Sequence, residues 1–576
     1  MAALNIKGLL QRHDSLKRLR QPWYPLYQAI SQFVLLRKQY FTSEQTDGPF
    51  LLNNVYDSTA LHAVHMFACS ILGQIWPSPF ESFEFVPQIA ADEAAYSDAF
   101  EMMTTVNEVM PINLSLPEAG VMMGMLEAIM DLAAYGTAAT LTIQTNDIRC
   151  PIKFKAMDAK TLGFSENEEG NVDSVYIEKK FTIAKLVQRY GYQAVSERSR
   201  KLYDTAKLED EVKVLHVIEP RRERNPLLLG TLDMPYASLH IEMDQQHLLQ
   251  ESGFNEMPVN VVRFWRNVGE LPGRSPAMDA LPDIRALNKL VEMFEKMGEM
   301  ALDPPKMIST EDVLGAGKIP WYPGVNIPVH RTNRTNGDIA PITPIHVVQN
   351  PGWAIQRITD LRDNIMTYFM HDKLSDLNNR SRQTLGEAHI RNEMRMFMTG
   401  PILSRILVEM VSPFLDRAFN ILLEAGNFGV IRNSKQDFLY QANGIQPKYI
   451  SEDFIRYRGG GLKGYRINFI SPAARLMKLE ESQGVEAFTD YAIKVSGLDP
   501  SAVQSTINFE EALRAKQRLS GASQKIVYSP AETERRKQAQ AAQAAEMQDM
   551  QSAVAGGAAF KDVAKGVKDI GGAAAS

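Results

Sequence analysis

The sequence predicts an α+β fold, predominantly helical, on three observations. Apolar residues recur at three- and four-residue steps in three stretches within 275–426, the repeat of helices that bury one face. Short alternating runs at 139–143, 175–177, 212–218, 236–242 and 259–265 are separated by Gly, Pro and charged turns, as antiparallel strands would be. Between the first two helical stretches, residues 303–350 hold Pro304, Pro305, Pro320, Pro323, Pro328, Pro341 and Pro344, which predicts an extended, loop-rich excursion.

From the N-terminus, residues 12–38 read as helix apart from Pro22 and Pro25. Tyr56, Asp57, Ser58 and Thr59 then lead into an apolar helix through His62, His65 and Cys69 toward Trp76 and Pro77. Asp57 or Ser58 supplies its cap, because a short polar side chain can accept from the free N–H groups of the first turn. The alternating runs, with helical punctuation at 182–190, complete a mixed region that ends at residue 274.

The pattern changes at Ser275. This residue caps a helix over 275–302, and Pro276 takes the first helical position, where its missing N–H costs nothing. Pro282 restarts or bends that helix, and Ile284, Leu287, Leu290, Val291, Phe294 and Met297 draw one apolar stripe along it. Asp303, Pro304 and Pro305 end it, since the residue before a proline is pushed out of helical geometry. In the insert, Trp321, Tyr322, Ile327 and Val329 favour order on contact with something apolar, and so long an irregular segment is usually functional or disordered.

A second striped helix over 351–372 carries Ile358, Leu361, Ile365 and Phe369 and could pack antiparallel to the first. The polar, basic link 373–383 follows; taken alone it reads as a surface turn. In 384–426, Thr384 and Glu387 have the spacing of a capping box, and Ile390, Met394, Phe397 and Met398 share a face. Gly400-Pro401 and Ser412-Pro413 should bend this long helix, and Gly426 should end it. Its charges at Arg405, Glu409, Asp416 and Arg417 exclude a membrane span, which needs ~20 largely uncharged apolar residues. Beyond it, a strand at 465–470 leads to Ser471 and Pro472, which open a helix toward Gln483, and 508–514 reads as another helix. Residues 531–576 are rich in Ala, Gln and Gly; 535–550 could be helical, but a single unsupported helix is marginal.

The order of helix, Pro-rich insert, helix, loop and long bent helix resembles the head-to-tail connector, or portal, proteins of short-tailed bacteriophages. The turn at Tyr56–Thr59 before a helix ending in an aromatic-Pro step is similar to that family too, as is the strand and Ser-Pro step around Ser471. The likeness covers about residue 10 to about residue 530. It implies a wing over 1–274, a first stem helix over 275–302, a clip over 303–350 and a second stem helix over 351–372. A channel loop over 373–383, a long bent wing helix over 384–426, a helical crown over 427–530 and a tail over 531–576, a helical barrel or disordered, complete the layout.

The function this implies is a dodecameric ring at one capsid vertex in the virion, assembled in the host cytoplasm, through which DNA is packaged and ejected and to which the tail attaches. Lys373, Asn378, Asn379, Arg380 and Arg382 would then line the channel against passing double-stranded DNA. Leu287, Leu290, Phe294, Ile358, Leu361 and Ile365 would pack the stem, and Trp321, Tyr322 and Ile327 would make the clip contacts. The partners implied are the packaging terminase, capsid and scaffolding proteins and tail adaptors, with no membrane. The competing readings are another ring-forming virion protein such as a tail adaptor, which is usually much shorter, and a packaging ATPase or nuclease.

Length and composition fit a large assembly protein. With 576 residues, 64.6 kDa and 45% hydrophobic content, the chain can hold several cores, about four domains by the usual length prior. Its formal charge of -6 argues against tight DNA wrapping, which needs many Lys and Arg contacts to phosphate. The start of the chain lacks the apolar core of a signal peptide, and two isolated cysteines, Cys69 and Cys150, suit a reducing compartment. Enzyme signatures fail one by one. Gly315, Gly317 and Lys318 suggest a phosphate loop, but Ile319 stands where Ser or Thr is required and Asp312 where the first Gly belongs. Gly459, Gly460, Gly461 and Lys463 fail similarly; His62 and His65 lack a metalloprotease motif; and Glu168 and Glu169, like Glu480 and Glu481, lie in polar surroundings. No catalytic residue, cofactor or metal is expected.

Overall fold

The computed structural model describes residues 5–36, 55–87, 93–147, 149–158, 161–221, 223–225, 230–310, 322–330, 342–344, 352–371, 399–428, 430–431, 448–449, 465–470, 479–496, 509–520 and 533–543, with 545 and 547. Asn5 caps α1 (Ile6–Arg20) by accepting from the Gly8 N–H at 2.9 Å. Pro22 falls in a 3-10 turn, Gln21–Trp23, and Pro25 in the first turn of α2 (Tyr24–Phe33). Both prolines stand where a helix needs no N–H from them, so they join two helices rather than spoil one. Before α3 (Thr59–Ile75) it is Asp57, not Ser58, that caps: its Oδ1 accepts from the Thr59 N–H at 2.8 Å. That helix buries Val64, Phe67, Ile71 and Ile75 and delivers Trp76 into the core.

Then come β1 (Phe83–Pro87), α4 (Glu93–Ser115) and α5 (Val121–Tyr135). Gly136, at φ +70°, ends α5 with its N–H on the Leu132 carbonyl at 2.9 Å. A side chain there would also strike the backbone of Gly273 and Arg274. Eight strands follow: β2 (Thr137–Gln144), β3 (Ile152–Met157), β4 (Leu162–Glu166), β5 (Val172–Thr182), β6 (Glu211–Pro220), β7 (Tyr236–Glu242), β8 (His247–Phe254) and β9 (Val259–Arg263). Two short helices, α6 (Ile183–Tyr190) and α7 (Glu197–Asp204), lie between β5 and β6.

The strands form two antiparallel sheets, one in the order β3-β2-β9 and the other β4-β5-β6-β7-β8. One cluster joins them: Leu141, Met157, Val259 and Val261 of the first sheet meet Phe164, Val175, Ile177 and Ile218 of the second. The opposite face of the larger sheet, with Tyr176, Leu215, Val217, Leu239 and Ile241, is covered by Leu16 of α1. Alternate residues of a strand face opposite sides, so both surfaces of this sheet are apolar for different partners. At the far end of the first face, α6 and the segment leading to α7 bury Leu186 and Val195 against Val214 and Leu249.

Ser275 caps α8 (Pro276–Leu302), its Oγ accepting from the Met278 N–H at 3.1 Å and donating to the Ala134 carbonyl at 2.7 Å. The helix runs unbroken through Pro282 and ends before Pro304. The insert holds a three-stranded sheet: β10 (Lys306–Thr310) pairs in parallel with β11 (Asn326–His330) and antiparallel with β12 (Ile342–Pro344). α9 (Gly352–Tyr368) then packs on α8. From Thr399 the chain is helical again, opens into a π-turn at Leu407–Val411 and continues as the helix Ser412–Ala425, closed by Gly426 at φ +81°. Proline at 413 lacks an N–H, and the π-turn ahead of it absorbs the mismatch, so the expected break is a local loosening.

These elements divide into two compact units: residues 1–82, 112–425 and 471–476, and residues 83–111, 426–470 and 477–576. In the second unit, β1 pairs antiparallel with β15 (Tyr465–Phe469), and the Asn107 side chain accepts from the Phe85 N–H and donates to its carbonyl. β13 (Val430–Ile431) and β14 (Lys448–Tyr449) form a two-residue parallel pair. Helices Leu479–Ser496 and Phe509–Ser520 contact each other. The first of these continues well past Gln483, where the sequence pattern had placed its end.

Candidate functional site

The helix pair α8 and α9 is held by the turn that precedes α3. Asn288 of α8 is buried, and its Oδ1 accepts from the backbone N–H of Tyr56 at 3.0 Å and of Asp57 at 3.3 Å. Its amide nitrogen donates to the Ile284 carbonyl at 3.0 Å, so it stands fixed on its own helix. Arg362 of α9 donates twice to Asp57 Oδ2, at 3.0 and 2.7 Å. One four-residue turn therefore grips both helices, through an amide on one and a guanidinium on the other. Burial works against the charged form of Asp57, but hydrogen bonds from Thr59 and Arg362 outweigh it and hold the carboxyl below its usual range.

Each helix buries one stripe and exposes another. Leu287 is buried on α8, with Leu290 and Phe294 half-buried; Ile358, Leu361 and Ile365 are buried on α9, and Phe369 just beyond it. On the outer faces Met293, Leu302, Trp353, Ile355 and Tyr368 are exposed, Trp353 to 70%. Large apolar groups held in water along two adjoining helices cost free energy unless something covers them. Charged residues beside them, such as Glu292 between Lys289 and Lys296, carry both signs.

The long helix is tied to the smaller sheet by two buried arginines. Arg263, at the end of β9, has a side chain 3% exposed and pairs with Glu166 and with Glu409 at 3.4 Å, while its backbone N–H donates to Glu409 at 2.9 Å. Glu409 sits in the π-turn, whose altered pitch aims it at the strand. Farther along, Arg417 donates to the Thr142 carbonyl at 2.9 Å, pairs with Glu256 at 3.6 Å and lies over the Phe254 ring at 5.1 Å. Desolvation pushes the pKa of both arginines down, opposed by Glu409 and Glu256 respectively. Phe414 lies between them in sequence and packs edge-on to Trp76 and Phe154.

Other residues singled out in the sequence fall as follows. Ile327 is buried in the insert sheet, whereas Tyr322 is 56% exposed. Trp321, Lys373, Asn378, Asn379, Arg380 and Arg382 lie outside the described residues, as do Thr384, Glu387, Ser471 and the glycine runs at 315–317 and 459–461. His62 and His65 are exposed on α3, and Glu168 and Glu169 are exposed in the β4–β5 turn. Among the described residues, no group of three or more His, Cys, Asp or Glu is placed to hold a metal ion. Among them, too, no single helix is long and apolar enough to cross a membrane. Sequence reasoning missed Asn288 and Arg362; an Asn within the apolar stripe of α8 was the available signal.

Comparison with known proteins bears on what this scaffold is. The chain is 26% identical over 431 residues to a "Probable portal protein" of Bordetella phage BPP-1, covering 73% of this chain and 75% of that protein. It is 26% identical over 403 residues to the "Portal protein" of Salmonella phage epsilon15, covering 67% and 69%. Among solved structures, a chain from the neck of an empty gene transfer agent particle, computed with C6 symmetry, aligns with a TM-score of 0.31 at 10% identity, covering 70% of this chain and 95% of that one. A chain from the virion of the native gene transfer agent particle gives 0.29 at 9%, covering 73% and 100%. The family described as bacteriophage head to tail connecting protein matches residues 7–527, so this chain belongs to that family.

Proposed function

We propose that this protein is the portal of a short-tailed phage: a ring at one vertex of the capsid, the passage for DNA into and out of the head, and the attachment point of the tail. Membership of the connector family over residues 7–527 supports this, as do the two relatives named portal proteins. The observation that carries the ring is the pinned pair α8 and α9, with Met293, Leu302, Trp353, Ile355 and Tyr368 exposed. A closed cyclic assembly would cover such a face on every copy, and the resemblance to portal proteins makes that assembly a dodecamer. In this reading α8 and α9 are the stem, the three-stranded insert is the clip, the two sheets with their helices are the wing, and 427–530 the crown.

The reading gives the protein no chemistry of its own. Terminase supplies the work, capsid and scaffolding proteins hold the outer surface, and tail adaptors dock at the clip. Lys373, Asn378, Asn379, Arg380 and Arg382, repeated around the ring, would face the DNA with transient phosphate contacts that do not read sequence. A net charge of -6 suits a wall along which DNA slides.

Electron microscopy of the purified chain should show closed rings with a central channel, and Trp353→Glu with Ile355→Glu should leave soluble chain that no longer closes them. A wild-type chain that stays monomeric across concentration and salt would sink the portal reading. Arg380→Ala with Arg382→Ala should leave rings and capsids intact while packaged DNA per particle falls. Unchanged DNA content would return 373–383 to an ordinary surface turn.

A further inference from the structure

On the larger sheet, His216 of β6 and His240 of β7 are direct cross-strand partners, and their rings stack with centroids 4.0 Å apart and planes 14° from parallel. Both residues are buried. His216 Nε2 hydrogen-bonds with Ser238 at 3.0 Å, but among the described residues no group pairs with His216 Nδ1 or with either ring nitrogen of His240. The pair sits at a seam. On one side, along the same face, Ile218 joins the core between the two sheets; on the other, Val214 joins the cluster under α6 and the α7 lead-in.

The groups around the pair make proton uptake costly. Lys179 of β5 shares this face, because Ile177 is the cross-strand partner of His216 and Lys179 lies two residues on. From α6, Tyr190 packs on His240 at 5.5 Å, and Arg189 lies over the rings of Tyr190 and Phe181. From β8, the cross-strand partner of His240 is the neutral Gln250. Lys155 of β3 adds a further positive charge near Lys179. The nearby carboxylate on β7, Glu242, is engaged elsewhere, accepting from the hydroxyls of Ser196 and Ser199, both at 2.8 Å, and from the Ser196 N–H. Desolvation first, then positive neighbours, lower the pKa of both rings, that of His240 to about 3.

We propose that the stacked His216–His240 pair makes the helical cover of this sheet, residues 183–204, an acid-released flap. Closed, the cover requires two neutral imidazoles beside Lys179 and Arg189. Open, it exposes them to water, where they take up protons at their ordinary value of 6.5. Both folded values lie below that, so the closed form is fully favoured above pH 6.5 and loses ground as pH falls from there toward 3. The cover is suited to separate release, since it consists of two eight-residue helices held by a small cluster, by Glu242 and by His247 of β8, whose Nε2 hydrogen-bonds with the Ala194 carbonyl at 3.0 Å. α1, on the opposite face, keeps its own contacts.

Hydrogen exchange of the assembled full-length protein, corrected for the intrinsic pH dependence of exchange, tests this between pH 7 and 5.5, above the ordinary range of carboxylates. Opening of 183–204 should rise about 8-fold if one histidine charges on release and about 70-fold if both do, while α8 stays unchanged. His240→Phe, which keeps an aromatic ring against His216 and Tyr190, should bring the rise down to the single-histidine value. Should that variant misfold, the wild-type profile alone decides: a flat response in 183–204, or an equal one in α8, overturns the proposal.

Discussion

Arg263→Ala should cost the fold about 3–5 kcal/mol, read as a fall in the denaturant midpoint at neutral pH, because it removes the cation from a site holding two carboxylates. Glu166 would keep Arg266 at 2.8 Å, but Glu409 would be left with Arg405 at 3.9 Å and the Arg263 backbone N–H. The loss exceeds that of a surface pair because the Arg263 side chain is 3% exposed and its partners 16% and 22%, so water can replace little of the bonding. Arg263→Lys should recover part of the stability, since a single ammonium cannot present the guanidinium's fork to both partners. A midpoint shift equivalent to less than about 1 kcal/mol for the alanine variant would mean that Glu409 swings free and that the π-turn does not depend on this contact.

Arg263 also marks the limit of what the sequence could tell. Glu409 and Arg417 served there as evidence against a membrane span, which is a local property of composition. Their contacts to Arg263 and Thr142 join residues 146 and 275 positions apart, which no local pattern encodes. The stripes were legible because helix period and burial agree: Ile358, Leu361, Ile365 and Phe369 all point inward. The strands at 236–242 and 259–263 were legible because turns bound them on both sides. α5 was not, since residues 128–135 are all buried and leave no one-face period to read. In α8, burial of Met278, Leu281, Ile284 and Leu287 outweighs the hydrogen bond that Pro282 removes. The channel residues proposed at 373–383 rest on the order of elements alone, because as a polar turn that segment carries no signal of its own.

Loss of the clamp on α8 and α9 should disable the ring more than it unfolds the chain. Arg362→Ala leaves the Asp57 carboxylate, 3% exposed, with only the hydroxyl and N–H of Thr59, and should cost about 2–3 kcal/mol. Asp57→Asn should cost less, about 1–2 kcal/mol, because an amide oxygen can still cap α3 and the half-exposed Arg362 regains water. In both variants α9 loses its tie to the turn that also holds Asn288 of α8, so closed rings should become scarcer at a given concentration while the sheets stay folded. The dependence on pH separates charge from packing. The Asp57 carboxyl is held below its ordinary value of 3.8, so its contribution is complete above that value and is lost as pH falls through the lower, folded one. The stability gap between wild type and Asp57→Asn should therefore be constant from pH 7 to 5 and should close below 3.8. A gap that persists unchanged into that acid range would show that the side chain acts by shape, and that the ion pair with Arg362 is not what binds α9 to the turn.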